Sequence, residues 1–205
     1  MLPYTTVLFQ FHTHEVALAV PEQEALKQWH EQNKATHVFP YWGKIWPASK
    51  ALSQFIAAHK DLIQDKKVME IAGGLGLPSL VAALFAKEVI CTDAVKEALE
   101  FVNRSIQLNA GNNISTGVYN WNEDATTISA ELLLMSDVNY NPDDFTQLLA
   151  FIKKQLQTGK TILLSTPQRL MAKPFIESLQ PFITQQEEYS IDEVMCSVFV
   201  LTKQL

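Results

Sequence analysis

The sequence predicts an α/β protein built on a doubly wound, mainly parallel sheet that closes with an antiparallel hairpin. Three observations lead there. From Lys67 onward, strand-like apolar runs alternate with segments of helical period, which is the pattern of a parallel sheet covered on both faces. A glycine-rich bend at 72–76, "AGGLG", joins the first of these runs to the first of these helices. The last two runs, "QEEYSI" and "MCSVFVLTK", lie too close together for a crossover helix and have to pair antiparallel.

Taken in order, residues 4–20 alternate loosely and read as a β-hairpin, and the polar stretch 21–36 suits either a helix or a loop. "WPASKALSQFIAAH" reads as a helix, with Pro47 in its first turn and Ala48, Leu52, Phe55, Ile56 and His59 on one face. "VMEI" is a strand, "LPSLVAALFA" a helix, "EVICTD" a strand and "VKEALEFVNRSIQLN" a helix. "STGVYNW" and "ELLLM" follow as strands, and the helix "DDFTQLLAFIKKQL" begins after Pro142 with acids at its amino end. "TILLST" is the next strand, then a helix through "PFIESL", then the closing pair.

A length of 205 residues, 47% of them hydrophobic, suits one domain over 1–205. Residues 1–66 form its hairpin and helical lead-in, and 67–205 form the cofactor-binding sheet. The net charge of −6 argues against a chain-wide grip on nucleic acid or anionic lipid. Cys91 and Cys196 each sit in an apolar run and read as core thiols of a reducing compartment. The amino terminus lacks the basic region of a secretory signal, and no apolar run approaches a membrane span. A cytoplasmic monomer is the expectation. His12 and His14 should share one strand face, but with no acid or thiol near them in sequence they suggest no metal site.

In a doubly wound sheet, ligands bind at the carboxyl ends of the strands near the point where the strand order reverses. Gly73, Gly74 and Gly76 give the first loop its bend. Such loops serve dinucleotides, nucleotides and S-adenosylmethionine alike. Asp93 ends the next strand, where a carboxylate can accept from both hydroxyls of a ribose; its other reading is a helix N-cap. "GLGLPS" departs from G-x-G-x-x-G at Ser79, and Glu70 puts an acid just before the glycines. That acid would repel a pyrophosphate, yet it could orient the ammonium end of a methionine moiety; otherwise it is a solvated strand-end acid. No nucleophile elbow or Walker loop is present, so hydrolase and phosphoryl-transfer chemistry fall away.

Five motifs in order resemble the class I S-adenosylmethionine-dependent methyltransferases, and within them the methyltransferase-16-like protein-lysine methyltransferases. They are "GKIWPASKAL", "EIAGGLGLPSLVAA", "CTDAVKEALEFVNRSIQLN", "YNWNE" and "MSDVNY", covering the chain from about Trp42 to its end. The resemblance implies a Rossmann-like sheet of seven strands in the order 3-2-1-4-5-7-6. It implies that Trp46 touches the methionine or ribose part of the cofactor, that Ala72, Gly73 and Gly74 form a main-chain cradle, and that Asp93 holds the ribose. Trp121 would lie on the adenine, and Ser136 beside the methyl donor. Asp137 and Tyr140 would face the acceptor, the first positioning an ammonium and the second walling the channel. Ala72 replaces the usual first glycine, and Asn139 stands where an aliphatic residue is usual.

Each aromatic and acid also has a structural reading. Trp42 and Trp46 suit a staple for the following helix, Trp121 suits rim packing, and Asp137 suits a cap of the turn "DVNYNPDD". The implied activity is methyl transfer from S-adenosyl-L-methionine to a protein side chain, lysine first. Transfer to a small molecule, or cofactor binding without catalysis, are the alternatives.

Overall fold

The computed structural model describes residues 2–33, 39–123 and 127–203. The chain opens with β1 (Tyr4–Phe11) and β2 (His14–Pro21), paired antiparallel as a two-stranded sheet of their own. The turn between them holds His12 at φ +52°, so His12 lies off the strand that His14 begins. The expectation that the two histidines share a strand face is thereby corrected. The stretch 21–36 contains α1 (Gln23–Asn33), and its last positions, 34–36, lie outside the described residues. In α2 (Pro47–Ala58), Ala48, Leu52, Phe55 and Ile56 are fully buried, as the helical spacing requires.

The main sheet takes its strands from β3 (Lys67–Ile71), β4 (Glu88–Asp93), β5 (Ile114–Val118) and β6 (Leu132–Ser136). It is completed by β7 (Thr161–Pro167), β8 (Ile183–Ile191) and β9 (Val194–Leu201). Their spatial order is β5-β4-β3-β6-β7-β9-β8, which is the implied 3-2-1-4-5-7-6 order. Strands β5 through β7 pair parallel, while β9 runs antiparallel to both β7 and β8. Asp192 and Glu193, both at positive φ, make the tight turn of that closing hairpin.

Helices cover both faces. They are α3 (Leu77–Ala82), α4 (Lys96–Leu108), α5 (Phe145–Gln157) and α6 (Lys173–Glu177). Alternate residues of β6 feed the two sides. Leu132 and Leu134 join the core with Ala48, Leu52 and Phe101, while Leu133 and Met135 join that of Leu148, Ile152 and Phe175. The helix expected over 77–86 stops at Ala82, because Asn113 Nδ2 donates to the carbonyls of Ala83 and Ala86 at 2.9 and 3.0 Å and turns the chain there.

The hairpin β1–β2 is tied to α4 by side chains that act as strand partners. Asn109 Oδ1 accepts from Ala17 N at 2.9 Å, and its Nδ2 donates to Ala17 O at 2.7 Å. One turn earlier, Ser105 Oγ accepts from Ala19 N at 2.9 Å.

Candidate active site

The strand order reverses between β3 and β6, and a cavity of about 520 Å³ opens at their carboxyl ends. Every site residue expected from the sequence lines it except Glu70. The sheet registers Ile71 beside Met135 and Glu70 beside Cys91, so the loops after β3, β4 and β6 must converge there.

The glycine loop lines the cavity and is also held by close packing behind it. Gly73 N donates to Thr92 O at 2.8 Å, and a Cβ on Gly73 would lie 2.7 Å from Cys91 Sγ. Gly74 and Gly76 take φ of +56° and +74°, and Gly76 opens α3. Ala72 also sits at positive φ, +52°, so its methyl group carries a backbone strain that glycine would not.

Glu70 lies behind the loop and fully buried, so neither a place on the cavity wall nor the solvated strand-end reading describes it. Its Oε2 accepts from Ser79 N at 3.0 Å and from Ser79 Oγ at 2.5 Å, with Cys91 Sγ at 3.8 Å. Burial pushes the carboxyl up to about 8, against the lowering effect of the Ser79 bonds. Serine at the third glycine position is thereby explained: it ties the first turn of α3 to the acid beneath the loop. The ammonium-orienting part expected of Glu70 could act only through that loop.

Asp93 is 7% exposed and faces the cavity. Its Oδ2 accepts from Gly74 N at 2.9 Å and its Oδ1 from Val95 N at 2.8 Å, so it binds the glycine loop to the turn before α4. The backbone N–H of Ala94 also acts on the carboxylate, which still faces the cavity, where a ribose hydroxyl could reach a remaining lone pair. Burial raises its pKa, while the bonds from Val95 and Gly74 oppose that rise.

Trp121 is half-buried on the wall, 6.1 Å from the Phe151 ring. Trp46 is half-buried and donates its Nε1–H to Tyr41 O at 2.9 Å. Trp42 is both core and wall, packed against Trp29 and Phe101. At the mouth, Tyr41 and Tyr140 are 50% and 57% exposed, their rings 6.3 Å apart. The Tyr140 hydroxyl is raised by burial first, then by the charges of Asp144, Asp93, Tyr41 and Asp137. Asn139 is completely buried and off the wall, with no hydrogen-bond partner among the described residues.

Asp137 was expected to stand ready for an ammonium ion. The structure corrects this, because Arg169 Nη1 lies 2.5 Å from its Oδ1 and Nη2 lies 3.0 Å from its Oδ2. The carboxylate is already paired. Arg169 lines the same cavity, and sequence reasoning passed it over. Asp137 also adopts φ +53°, and its N–H donates to Ser165 O at 2.9 Å, so a strained turn aims it inward.

The donor set fits S-adenosylmethionine. One buried acid faces the space where a ribose would lie, flat aromatic faces flank it, and the wall's cations, Lys44 and Arg169, are not gathered for a pyrophosphate. Lys44 Nζ instead lies 5.5 and 5.9 Å from the ring centroids of Phe39 and Trp46, and Arg169 holds Asp137.

Solved structures share this fold. The tRNA (uracil-54, C5)-methyltransferase of Pyrococcus abyssi, in complex with S-adenosyl-L-homocysteine, superposes with a TM-score of 0.60 at 10% identity, covering 96% of this chain and 44% of that one. TrmN of Thermus thermophilus gives 0.60 at 17% identity, covering 76% and 48%. Among curated proteins, the human histone-arginine methyltransferase METTL23 is 30% identical over 114 residues, 53% of this chain and 60% of that protein. The human electron transfer flavoprotein beta subunit lysine methyltransferase is 24% identical over 186 residues, 88% of this chain and 69% of that protein. The chain spans about half the length of some relatives, 49% in the case of METTL23 from Xenopus laevis. The family model described as lysine methyltransferase matches residues 24–182, from α1 through every loop of the cavity to the residue before β8, and the chain belongs to that family.

Proposed function

We propose that this chain transfers a methyl group from S-adenosylmethionine to a lysine side chain of a protein. The observation that carries the reading is one cavity in which the Asp93-braced glycine loop faces the strand-end segment holding Ser136, Asp137 and Tyr140. When bound, S-adenosylmethionine supplies a methyl carbon made electrophilic by its sulfonium. What remains for the chain is to hold the cofactor, to bring the acceptor nitrogen into line and to favour its uncharged form. Asp93, Trp121 and Trp46 would hold ribose, adenine and the methionine end. Ser136 and the cradle of Ala72, Gly73 and Gly74 would fix the methyl donor between them, with Gly76 completing the bend.

A protein acceptor is favoured over a small molecule by the mouth. Tyr41 and Tyr140 stand half open to solvent beside it, and Leu170, next to Arg169 on the wall, is 93% exposed. Such a rim suits an acceptor that stays mostly outside and inserts one side chain. We read 1–205 as a single domain that works as a monomer, binding neither nucleic acid nor membrane, in line with the net charge of −6. No helix among the described residues is long and apolar enough to cross a membrane. The two buried free thiols suit the reducing cytoplasm.

Calorimetric titration with S-adenosylhomocysteine, NAD and ATP tests the cofactor, and tighter binding of NAD than of S-adenosylhomocysteine would overturn it. Incubation with labelled S-adenosylmethionine and a cell lysate tests the acceptor. Label is expected on lysine of a protein; label confined to small molecules would overturn that part.

A further inference from the structure

We infer that Arg169 selects lysine over arginine as the acceptor, by occupying the paired face of the Asp137 carboxylate. This rests on the methyl-transfer reading above. The two ends of the Arg169 fork meet the two oxygens of Asp137 at 2.5 and 3.0 Å, the parallel geometry that a substrate guanidinium would itself need. The Asp137 side chain is 8% exposed and that of Arg169 30%, so the carboxylate is largely covered and the guanidinium is the more open member of a pair that lines the cavity together.

The pair is built into the sheet. β6 and β7 run parallel with Ser136 beside Ser165, and Asp137 N donates to Ser165 O at 2.9 Å. Gln168 N donates to Met195 O and Arg169 N to Pro167 O, both at 2.9 Å, so the segment carrying the arginine is pinned to β9 and to its own strand. Neither partner depends on a loose loop to find the other.

An arginine acceptor is a planar fork that keeps its charge at any working pH. Here it would find the matching carboxylate filled by its own kind and would meet a like charge. A lysine amine needs only one lone-pair direction and can lose its proton, its reference pKa being about 10.4. Arg169 offsets the Asp137 carboxylate, which alone would favour the charged ammonium over the nucleophilic amine. Of the other groups at this end, the Cys196 thiol interacts with the Arg169–Asp137 pair, and the Tyr140 hydroxyl with Asp93, Asp137 and Asp144. None of these is a second paired carboxylate face aligned with Arg169.

The test uses n-butylamine and n-butylguanidinium as stand-ins for the two side chains, with chemical-shift titration of the Asp137, Val138 and Tyr140 amide signals. On wild-type protein loaded with S-adenosylhomocysteine, the amine should move these signals and the guanidinium should leave them in place. In Arg169→Met the guanidinium should bind roughly tenfold tighter or more, the scale of one charge-assisted bond gained. Asp137→Asn added to that variant should cancel the gain, and Arg169→Lys should give an intermediate value. Equal binding of the two probes to the wild type overturns the inference, and so does an unchanged guanidinium affinity in Arg169→Met that still binds S-adenosylhomocysteine. Should Arg169→Met fail to fold, the wild-type comparison and Arg169→Lys decide. Absence of S-adenosylhomocysteine binding would refute methyl transfer instead, while the probes, titrated also on the free protein, still report selection at Asp137.

Discussion

Replacing Glu70 by glutamine should flatten the dependence of stability on pH. In the native state burial pushes this carboxyl up to about 8, against a reference of 4.5. Between those values the folded protein holds a proton that the unfolded chain has released, so stability falls as pH rises. The stabilisation is complete below the unfolded value and is lost as pH passes through the folded one. Applied from pH 6 to 9, linkage gives a loss of about 2–3 kcal/mol. Glutamine keeps an oxygen for the Ser79 N–H and Oγ but cannot ionise, so it imitates the protonated acid. Urea unfolding of both proteins at several pH values measures the effect. The wild-type curve should drop by about 2–3 kcal/mol more than the variant curve, which keeps the shallow fall of the buried thiols. The Cys91 thiol is raised by burial first and then by the Glu70 charge, so the difference between the curves reads Glu70 together with its pull on Cys91. Parallel curves from pH 6 to 9 would refute the buried-proton account.

Ala72→Gly should raise stability by up to ~1 kcal/mol, the strain of a left-handed alanine less the entropy of glycine, as read by thermal melting. Asp93→Ala should weaken S-adenosylhomocysteine binding by ~1.5–3 kcal/mol in calorimetry, because bonds to a charged acceptor are lost. It should also expose the amide of Gly74 to faster hydrogen exchange than in the wild type. Asn109→Ala should cost about 1 kcal/mol, since the half-buried main-chain groups of Ala17 lose their partner. Exchange should then rise in residues 14–21 while the main sheet stays protected.

The fold was legible because strand and helix periods alternate from Lys67 and because no crossover fits between the last strands. Both signals are local. The wall of the cavity was legible for a related reason, since loops after adjacent parallel strands must meet. What escaped were directions and distant partners. Nothing near Glu70 says that its side chain turns under the loop toward Ser79, nine residues on, rather than into the cavity. Arg169 lies 32 residues from Asp137, and no spacing rule links them. A signal did exist: once "ELLLM" and "TILLST" are placed side by side, the residues just past their ends become neighbours, and the only cation there is Arg169. The length of α3 was misjudged because the side chain that ends it, Asn113, comes from the turn between α4 and β5, about 30 residues on.

The attachment of the hairpin to α4 bears on how this protein avoids sticking to itself. A two-stranded sheet has two free edges, each a template on which another chain could add a strand. Along β2, the amide of Asn109 and the hydroxyl of Ser105 already engage the outward main-chain groups of Ala17 and Ala19, so a helix serves as a third strand without being one. An incoming strand finds these positions taken and cannot set a register there. That protection hangs on two side chains, so their loss would leave a folded protein with a new tendency to associate, one that grows with protein concentration.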